Sequence, residues 1–343
     1  MNLLEKADFY FQNQLPFVVY AKPNETILQG IFQKDATLHV FENQNGFVFA
    51  GFYNTTNVVF PLTDSEVFQE EMIYKIEKQT FNIEHNSDEN AQKSFENLVQ
   101  KAVSEIENGT FQKVVVSRKI EISQSVDVIK SYQKLLKTYP TAFRYLWYHP
   151  QVGLWMGATP EQLTKINNHT FETVSLAGTQ VVSENVIWQE KEVEEHQLVT
   201  DYIKNSTENL VENIQISKAY TQKAGNVVHL KSDISGKLKL NSSENDIIHA
   251  LHPTSAVCGM PLEAARNFIL ENEKYDRKYY SGFLGELRIQ ELTNLFVNLR
   301  CCEIENDVTT IYAGCGITKD SQVEKEFIET ENKAKTILSV LCY

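Results

Sequence analysis

Apolar residues return at helical spacing in some stretches of this chain and at strand spacing in others. Phe95, Leu98, Val99, Ala102 and Ile106 share one helical face behind a polar lead from His85 to Asn90, and Gly109 offers a C-terminal stop. The β-branched run Phe111–Ile122 predicts a strand, followed by a helix over Val126–Lys137. Shorter strands are predicted at Ala142–Tyr148, Leu154–Gly157, Leu163–Ile166 and Phe171–Leu176, then a helix over Gln189–Val211. A strand at Val227–Leu238 leads to helices at Ser243–Leu251 and Leu262–Leu270. Strands at Gly282–Ile289, Leu295–Ile304 and Val308–Ala313 precede a last helix over Val323–Leu341. Residues 1–85 read as short strands and turns, among them Phe47–Phe52 and Val58–Pro61, without a cluster of reactive side chains. Strands punctuated by single helices predict an α+β fold, with packed central sheets flanked by helices. The expected organisation is a strand-rich region, 1–87, belonging to the same domain as a core over 88–343.

One helical pattern carries an anomaly. Trp188, Glu192, Glu195, Val199 and Tyr202 fall on one face, so two carboxylates sit within an apolar stripe. Glu326 and Glu329 repeat the three-residue spacing on the last helix. Carboxylates turned inward repel one another and are costly to desolvate unless a cation joins them. An all-oxygen set suits Mg²⁺ or Mn²⁺. The ordinary alternative stays open at this point, because acids on a helix usually face solvent and Glu329 with Lys333 makes a common i,i+4 pair.

Composition narrows the classes. With 42% hydrophobic and 22% charged residues in 343, the chain has the make-up of a globular protein with a full core. A formal net charge of −13 argues against nucleic acid or an anionic membrane as partner. No apolar run approaches the roughly 20 residues of a membrane span, and the start, Met1-Asn2-Leu3-Leu4-Glu5-Lys6, is unlike a signal peptide. Five cysteines, odd in number and without C-x-x-C spacing, fit free thiols in a reducing cytoplasm. A monomer without an obligate partner subunit is expected.

Several runs concentrate Gly, Thr, Ser and Pro: GATPE (Gly157 to Glu161), SLAGT (Ser175 to Thr179), HPTSAVCGMP (His252 to Pro261), YSGFLG (Tyr280 to Gly285) and AGCGI (Ala313 to Ile317). Each alone is explained by turn chemistry. Together with KVVVSR (Lys113 to Arg118), KEVEEH (Lys191 to His196), NLR (Asn298 to Arg300) and EFIETENK (Glu326 to Lys333), their order resembles the chorismate-utilising enzymes. That family includes isochorismate and salicylate synthases and the large subunits of anthranilate and aminodeoxychorismate synthases. The resemblance runs from about Ser94 to the C-terminus, makes 88–343 a chorismate-binding catalytic core, and implies a small-molecule substrate, chorismate.

The resemblance implies a role for each matching residue. Glu195 and Glu329 become the principal Mg²⁺ ligands, with Glu192 and Glu326 in support. Arg300 grips the enolpyruvyl carboxylate, a task suited to a planar fork of donors. Tyr280 and Lys333 add substrate contacts, and Gly178, Thr179, Gly314 and Gly316 line the pocket. Glu161 is the general acid that protonates the leaving hydroxyl, against a plain reading as a surface acid after a turn proline. Lys113 is the base that activates water, a role needing a depressed pKa, against a plain reading as an edge-strand lysine. His229 and, less so, His252 match family positions, where a hydrogen-bonded structural histidine is the commoner case.

Three positions separate the family's activities. Lys113 favours water as nucleophile, since the ammonia-using members lack it. Ala177 stands where some aminodeoxychorismate synthases carry a nucleophilic lysine. Ala256 matches the small residue of isochorismate synthases, where salicylate synthases tend to carry threonine. The resemblance therefore points to an isochorismate synthase, with salicylate synthase as runner-up and a catalytically silent chorismate binder as the reading from another class. Menaquinone synthesis is preferred over siderophore synthesis, because no fused carrier domain is seen. Departures include Lys191-Glu192-Val193 in place of Lys-Asp-Arg, and Cys258 and Cys315 where Gly or Ala is usual.

Overall fold

The structure, a computed structural model, describes residues 1–72, 88–181, 186–224 and 227–343, without the side chains of 179, 181, 191, 223, 224 and 227. The expected polar lead at 85–90 therefore begins outside the described residues. The fold is α+β, with two large antiparallel sheets and helices packed on them. The chain divides into two compact units, one of Met1–Glu161, Val257–Leu284 and Phe296–Tyr343, the other of Gln162–Ala256 and Gly285–Leu295.

The first unit contains a complete nine-stranded sheet. Its order is Gly259–Met260, Lys113–Ser123, Val308–Ile317, Cys301–Glu305, Gly153–Thr159, Phe143–His149, Phe17–Ala21, Ile27–Gln33 and Ser65–Glu71. Alternation along the Lys113 strand gives Val114 and Val116 to a buried cluster with Cys315, Ile317, Phe95, Val99 and Phe327. The helix Glu89–Glu107 supplies Phe95, Val99 and Ala102 at the spacing read from sequence, and Gly109 follows it at φ 78°. Each such side chain contributes about 1.5–3 kcal/mol on full burial. A second cluster joins Phe17, Leu146 and Met156 to Tyr132, Leu135, Ile337 and Leu338.

In the second unit the strands run Val211–Ile216, Val227–Leu238, Thr170–Val181 and Gln162–Asn167, and Tyr220–Ala224 also pairs with Val227–Leu238. The acidic helix Glu190–Thr207 buries His196, Val199, Thr200 and Ile203. Ser175 on the long strand bonds both the His196 ring (3.2 Å) and Thr200 (2.8 Å), which fixes the helix against the SLAGT run.

Three expectations need correction. Residues Leu3–Gln12 form a helix, not strands and turns, started by a capping box between Asn2 and Glu5. The acidic helix ends at Thr207, and Val211 opens a strand paired to Leu238. The single strand expected over Leu295–Ile304 is two, Leu292–Val297 and Cys301–Glu305, because Arg300 adopts φ 49° between them. Among the described residues no helix is long and apolar enough to cross a membrane. All five cysteines are free thiols, four of them buried.

Candidate active site

In the first unit the predicted residues converge on a few adjoining strand ends. Lys113 opens its strand, pairs with Met260 on one side, and is partly buried. Gly316 on the neighbouring strand leaves room for it: a Cβ there would stand 3.1 Å from Lys113 Cε and 3.7 Å from Nζ. Gly314 serves Tyr280 in the same way, since its Cβ would stand 2.8 Å from the phenol oxygen. The Tyr280 ring is buried and stacks on Tyr312 at 5.4 Å.

Glu161 follows the strand Gly153–Thr159 and is held by its backbone, with Val297 N donating to its carbonyl at 2.9 Å. Thr159 also donates to Val297 O at 2.5 Å. Part of the residue reaches solvent, yet burial pushes its carboxyl up to about 7. The positive charges of Lys113, Lys333 and Arg300 oppose that rise without cancelling it. An acid with this environment is protonated in a large fraction at neutrality and has three cations around it.

The Arg300 carbonyl accepts from Ala158 N at 3.0 Å, and its Nη1 donates to Thr336 Oγ1 at 3.2 Å. A left-handed backbone at a non-glycine residue costs energy and is concentrated at functional sites. Here the turn points the guanidinium from a strand end toward the C-terminal helix. Burial lowers its pKa, and Tyr280, Glu329 and Glu161 lie within electrostatic reach.

The C-terminal helix, Val323–Leu338, presents Glu326, Glu329 and Lys333. Lys333 Nζ bonds Gly314 O at 2.8 Å and Glu329 Oε1 at 2.6 Å. Desolvation first, and the Glu329 charge after a bond from Ser321, shift the Glu326 carboxyl, with a net rise. These are hard oxygen donors, one of them desolvated and repelled by its neighbour, and so they fit a divalent cation such as Mg²⁺. Among the described residues, neither unit gathers three or more acid, histidine or cysteine side chains into one metal-sized cluster.

The second unit holds Gly178, Thr179, Glu192, Glu195, His229 and Ala256. Glu192 and Glu195 lie on the acidic helix and are partly exposed. Glu192 is engaged as a cap: Gln189 N donates to Oε2 at 2.7 Å and Gln180 Nε2 to Oε1 at 3.0 Å. Gly178, at φ 69°, packs against it, where a Cβ would stand 3.1 Å from Glu192 Cβ. His229 Nδ1 lies at hydrogen-bond distance, 3.2 Å, from Gly178 O. The Thr179 side chain lies outside the described residues. Ala177 is buried and Ala256 partly so.

Sequence reasoning missed one group. Glu273 and Arg277 form a fully buried ion pair behind the Lys113 strand, with side-chain exposures of 1% and 2%. Their i,i+4 spacing was the available signal, but surface pairs share it.

The chorismate binding enzyme family profile matches residues 54–342, starting upstream of the Ser94 limit drawn from the motifs. Anthranilate synthase component 1 of Thermococcus kodakarensis is 26% identical over 72% of this chain and 60% of its own length. Isochorismate synthase of Haemophilus influenzae is 28% identical over 71% of this chain and 59% of its own. The chain thus spans about three fifths of the length of these curated relatives. Among solved structures, the Bacillus anthracis protein assigned as a 2,3-dihydroxybenzoate-specific isochorismate synthase superposes with a TM-score of 0.78 at 22% identity, covering 98% of this chain and 99% of that one. The menaquinone-specific isochorismate synthase of Escherichia coli gives 0.76 at 19%, covering 95% and 89%. With its fold matched along nearly the whole length and the family profile covering all but its first part, the chain belongs to the chorismate-binding enzyme family.

Proposed function

We propose that the protein is an isochorismate synthase, converting chorismate to isochorismate. The observation that carries this reading is an acid at Glu161 whose carboxyl burial pushes up to about 7 within electrostatic reach of Lys113. In the proposed reaction Lys113 takes a proton from water as its oxygen bonds to ring carbon 2. The double bonds shift, and the carbon 4 hydroxyl departs as water with the proton of Glu161. Atoms balance without an oxidant or ATP. Arg300, Tyr280 and Lys333 hold the substrate, with Gly178, Thr179, Gly314 and Gly316 leaving space around it. Glu195 and Glu329 are the proposed principal ligands of Mg²⁺, supported by Glu192 and Glu326. A bound Mg²⁺ supplies the positive charge that lets a substrate carboxylate approach these acids.

The isochorismate synthases among the relatives support this reading, but anthranilate synthases match at similar identity. Lys113 and Ala177 favour the water-using route over ammonia or a covalent lysine. Ala256 favours stopping at isochorismate over salicylate formation. The reading keeps 1–87 within one domain with the 88–343 core, and places the protein in the cytoplasm, feeding menaquinone or siderophore synthesis.

The test is chromatography of chorismate incubated with the protein and Mg²⁺. Isochorismate as main product is expected. Salicylate with equal pyruvate moves the protein to the runner-up, and anthranilate on adding ammonium removes the water-based mechanism.

A further inference from the structure

The Lys113 strand loses its outer neighbour early. The strand Gly259–Met260 pairs only with Lys113 and Val114, and the last backbone bond on that edge is Val115 N to Cys258 O at 2.8 Å. Beyond it, Val115 O and Ser117 N need partners, because unpaired backbone groups in a buried place are costly. Two side chains take the place of the missing strand. Arg277 Nη2 donates to Val115 O at 2.7 Å, and Ser117 N donates to Glu273 Oε1 at 2.6 Å. The pair is locked together by Arg277 Nε to Glu273 Oε2 (2.8 Å) and Nη2 to Oε1 (2.5 Å). Arg277 Nη1 reaches on to Val257 O at 2.9 Å, tying in the segment after Ala256. Ser117 Oγ closes the network with Glu273 Oε1 (2.9 Å) and the Tyr275 hydroxyl (2.7 Å).

We propose that Glu273 and Arg277 are positioning residues for catalysis, acting as a side-chain surrogate for a strand that fixes the backbone two residues from Lys113. The proposal deepens the assignment of Lys113 as the base and rests on it. A hydrophobic filler would satisfy packing but not the two backbone groups. Through Arg277 the pair also ties Val115 to Val257, one residue beyond the backbone bond to Cys258. A planar fork suits this task, because its several N–H groups serve Val115 O, Val257 O and both carboxylate oxygens at once. A lysine has no such geometry.

Two variants keep both charges and loosen the network from either side. Arg277→Lys gives up the fork, and Glu273→Asp pulls the carboxylate back from Ser117 N. Both should lower kcat on the order of 10²-fold, the scale of a misplacement near 1 Å. KM and directly measured chorismate affinity should change by no more than about threefold, since the substrate-holding groups stay and Arg277 only borders the Tyr280 ring at 5.7 Å. Rates are expressed per chorismate-binding site, so an unfolded fraction does not count as lost catalysis.

Arg144→Lys is the control. That arginine is equally buried, and its fork serves carbonyls of Lys22, Glu25, Leu136 and Ala142. It should lower Tm while leaving kcat per site near the parent value. Where a pair variant does not fold, Tyr275→Phe removes only the bond to Ser117 Oγ, and a kcat loss of about threefold at constant KM is expected. Pair variants that melt lower yet keep kcat per site overturn the proposal, as does an unchanged kcat in Tyr275→Phe where both pair variants fail to fold. Should Lys113→Ala itself turn over normally, the mechanism above fails and this proposal falls with it. A damaging Lys113→Ala beside harmless pair variants sinks the positioning role alone.

Discussion

The two units hold their candidate residues in opposite ways. In the first, Glu161, Arg300, Tyr280 and Glu326 are desolvated, and every one has its pKa displaced with burial as the first cause. In the second, Glu192, Glu195 and His229 keep access to solvent, and Glu192 and His229 are held by helix capping and a backbone carbonyl. Desolvation is what acid–base chemistry needs, because it moves a carboxyl toward neutrality and strengthens each nearby charge. Solvated acids on a capped helix are better suited to meeting an ion that arrives from water. Under the proposed function, proton transfer falls to the first unit and the second has a supporting role in binding.

The largest expected effects break this division if it is wrong. Lys113→Ala should lower turnover on the order of 10²-fold or more, with chorismate affinity nearly unchanged because Arg300, Tyr280 and Lys333 remain. Rate and binding measured on one preparation decide it, and near-normal turnover returns Lys113 to an ordinary strand lysine.

Glu161→Gln should lose turnover on a similar scale, since an amide cannot protonate a leaving hydroxyl. In the parent, kcat/KM should fall as pH rises through about 7, where this acid loses its proton. The stability consequence has the opposite sign. A carboxyl whose folded pKa is raised binds its proton more tightly in the folded state, so stability declines as pH climbs from the ordinary carboxylate range toward 7. The inactive Glu161→Gln should therefore melt above the parent at pH 8 and close to it at pH 4. Equal melting at both values, or a variant less stable at pH 8, contradicts the buried-acid assignment.

The metal comparison sets the units against each other directly. Glu329→Ala and Glu195→Ala should each weaken Mg²⁺ and chorismate binding together, by calorimetry, and full turnover in excess chelator excludes the proposed ligands altogether. Glu192→Ala should additionally destabilise the acidic helix by about 1 kcal/mol through loss of its cap. A smaller effect belongs to Gly316→Ala. Its methyl group must displace Lys113 Cε from 3.1 Å, a flexible neighbour, so a several-fold loss of kcat is expected without loss of fold.

Periodicity reached far into the fold. The helix at Glu89–Glu107 and the strands at Lys113–Ser123 and Val227–Leu238 are legible because apolar residues recur on one face of each. The N-terminal helix was obscured by its aromatic residues, although the Asn2 and Glu5 capping pair was available as a signal. The break before Cys301 was illegible, since nothing in Asn298-Leu299-Arg300 demands a left-handed residue and only the turn imposes it. Lys113, Glu161, Arg300 and Lys333 could be named from motif order, but not placed together by it.

The order of motifs by itself determined the family, because residue types at fixed positions along a chain survive any reading of geometry. The spacing of Glu326, Glu329 and Lys333 likewise determined that they share a helix face. What only the tertiary structure decided is the electrostatic state of the acids and the support behind Lys113. Glu161 is pushed up to about 7 by surroundings drawn from distant stretches of chain, with Lys113, Lys333 and Arg300 pulling the other way. Glu273 and Arg277 look in sequence like one more surface pair. They become a buried substitute for a strand only because the sheet runs out beside Val115 and Ser117. Burial and backbone satisfaction are properties of what surrounds a residue, and neither is written in its local sequence.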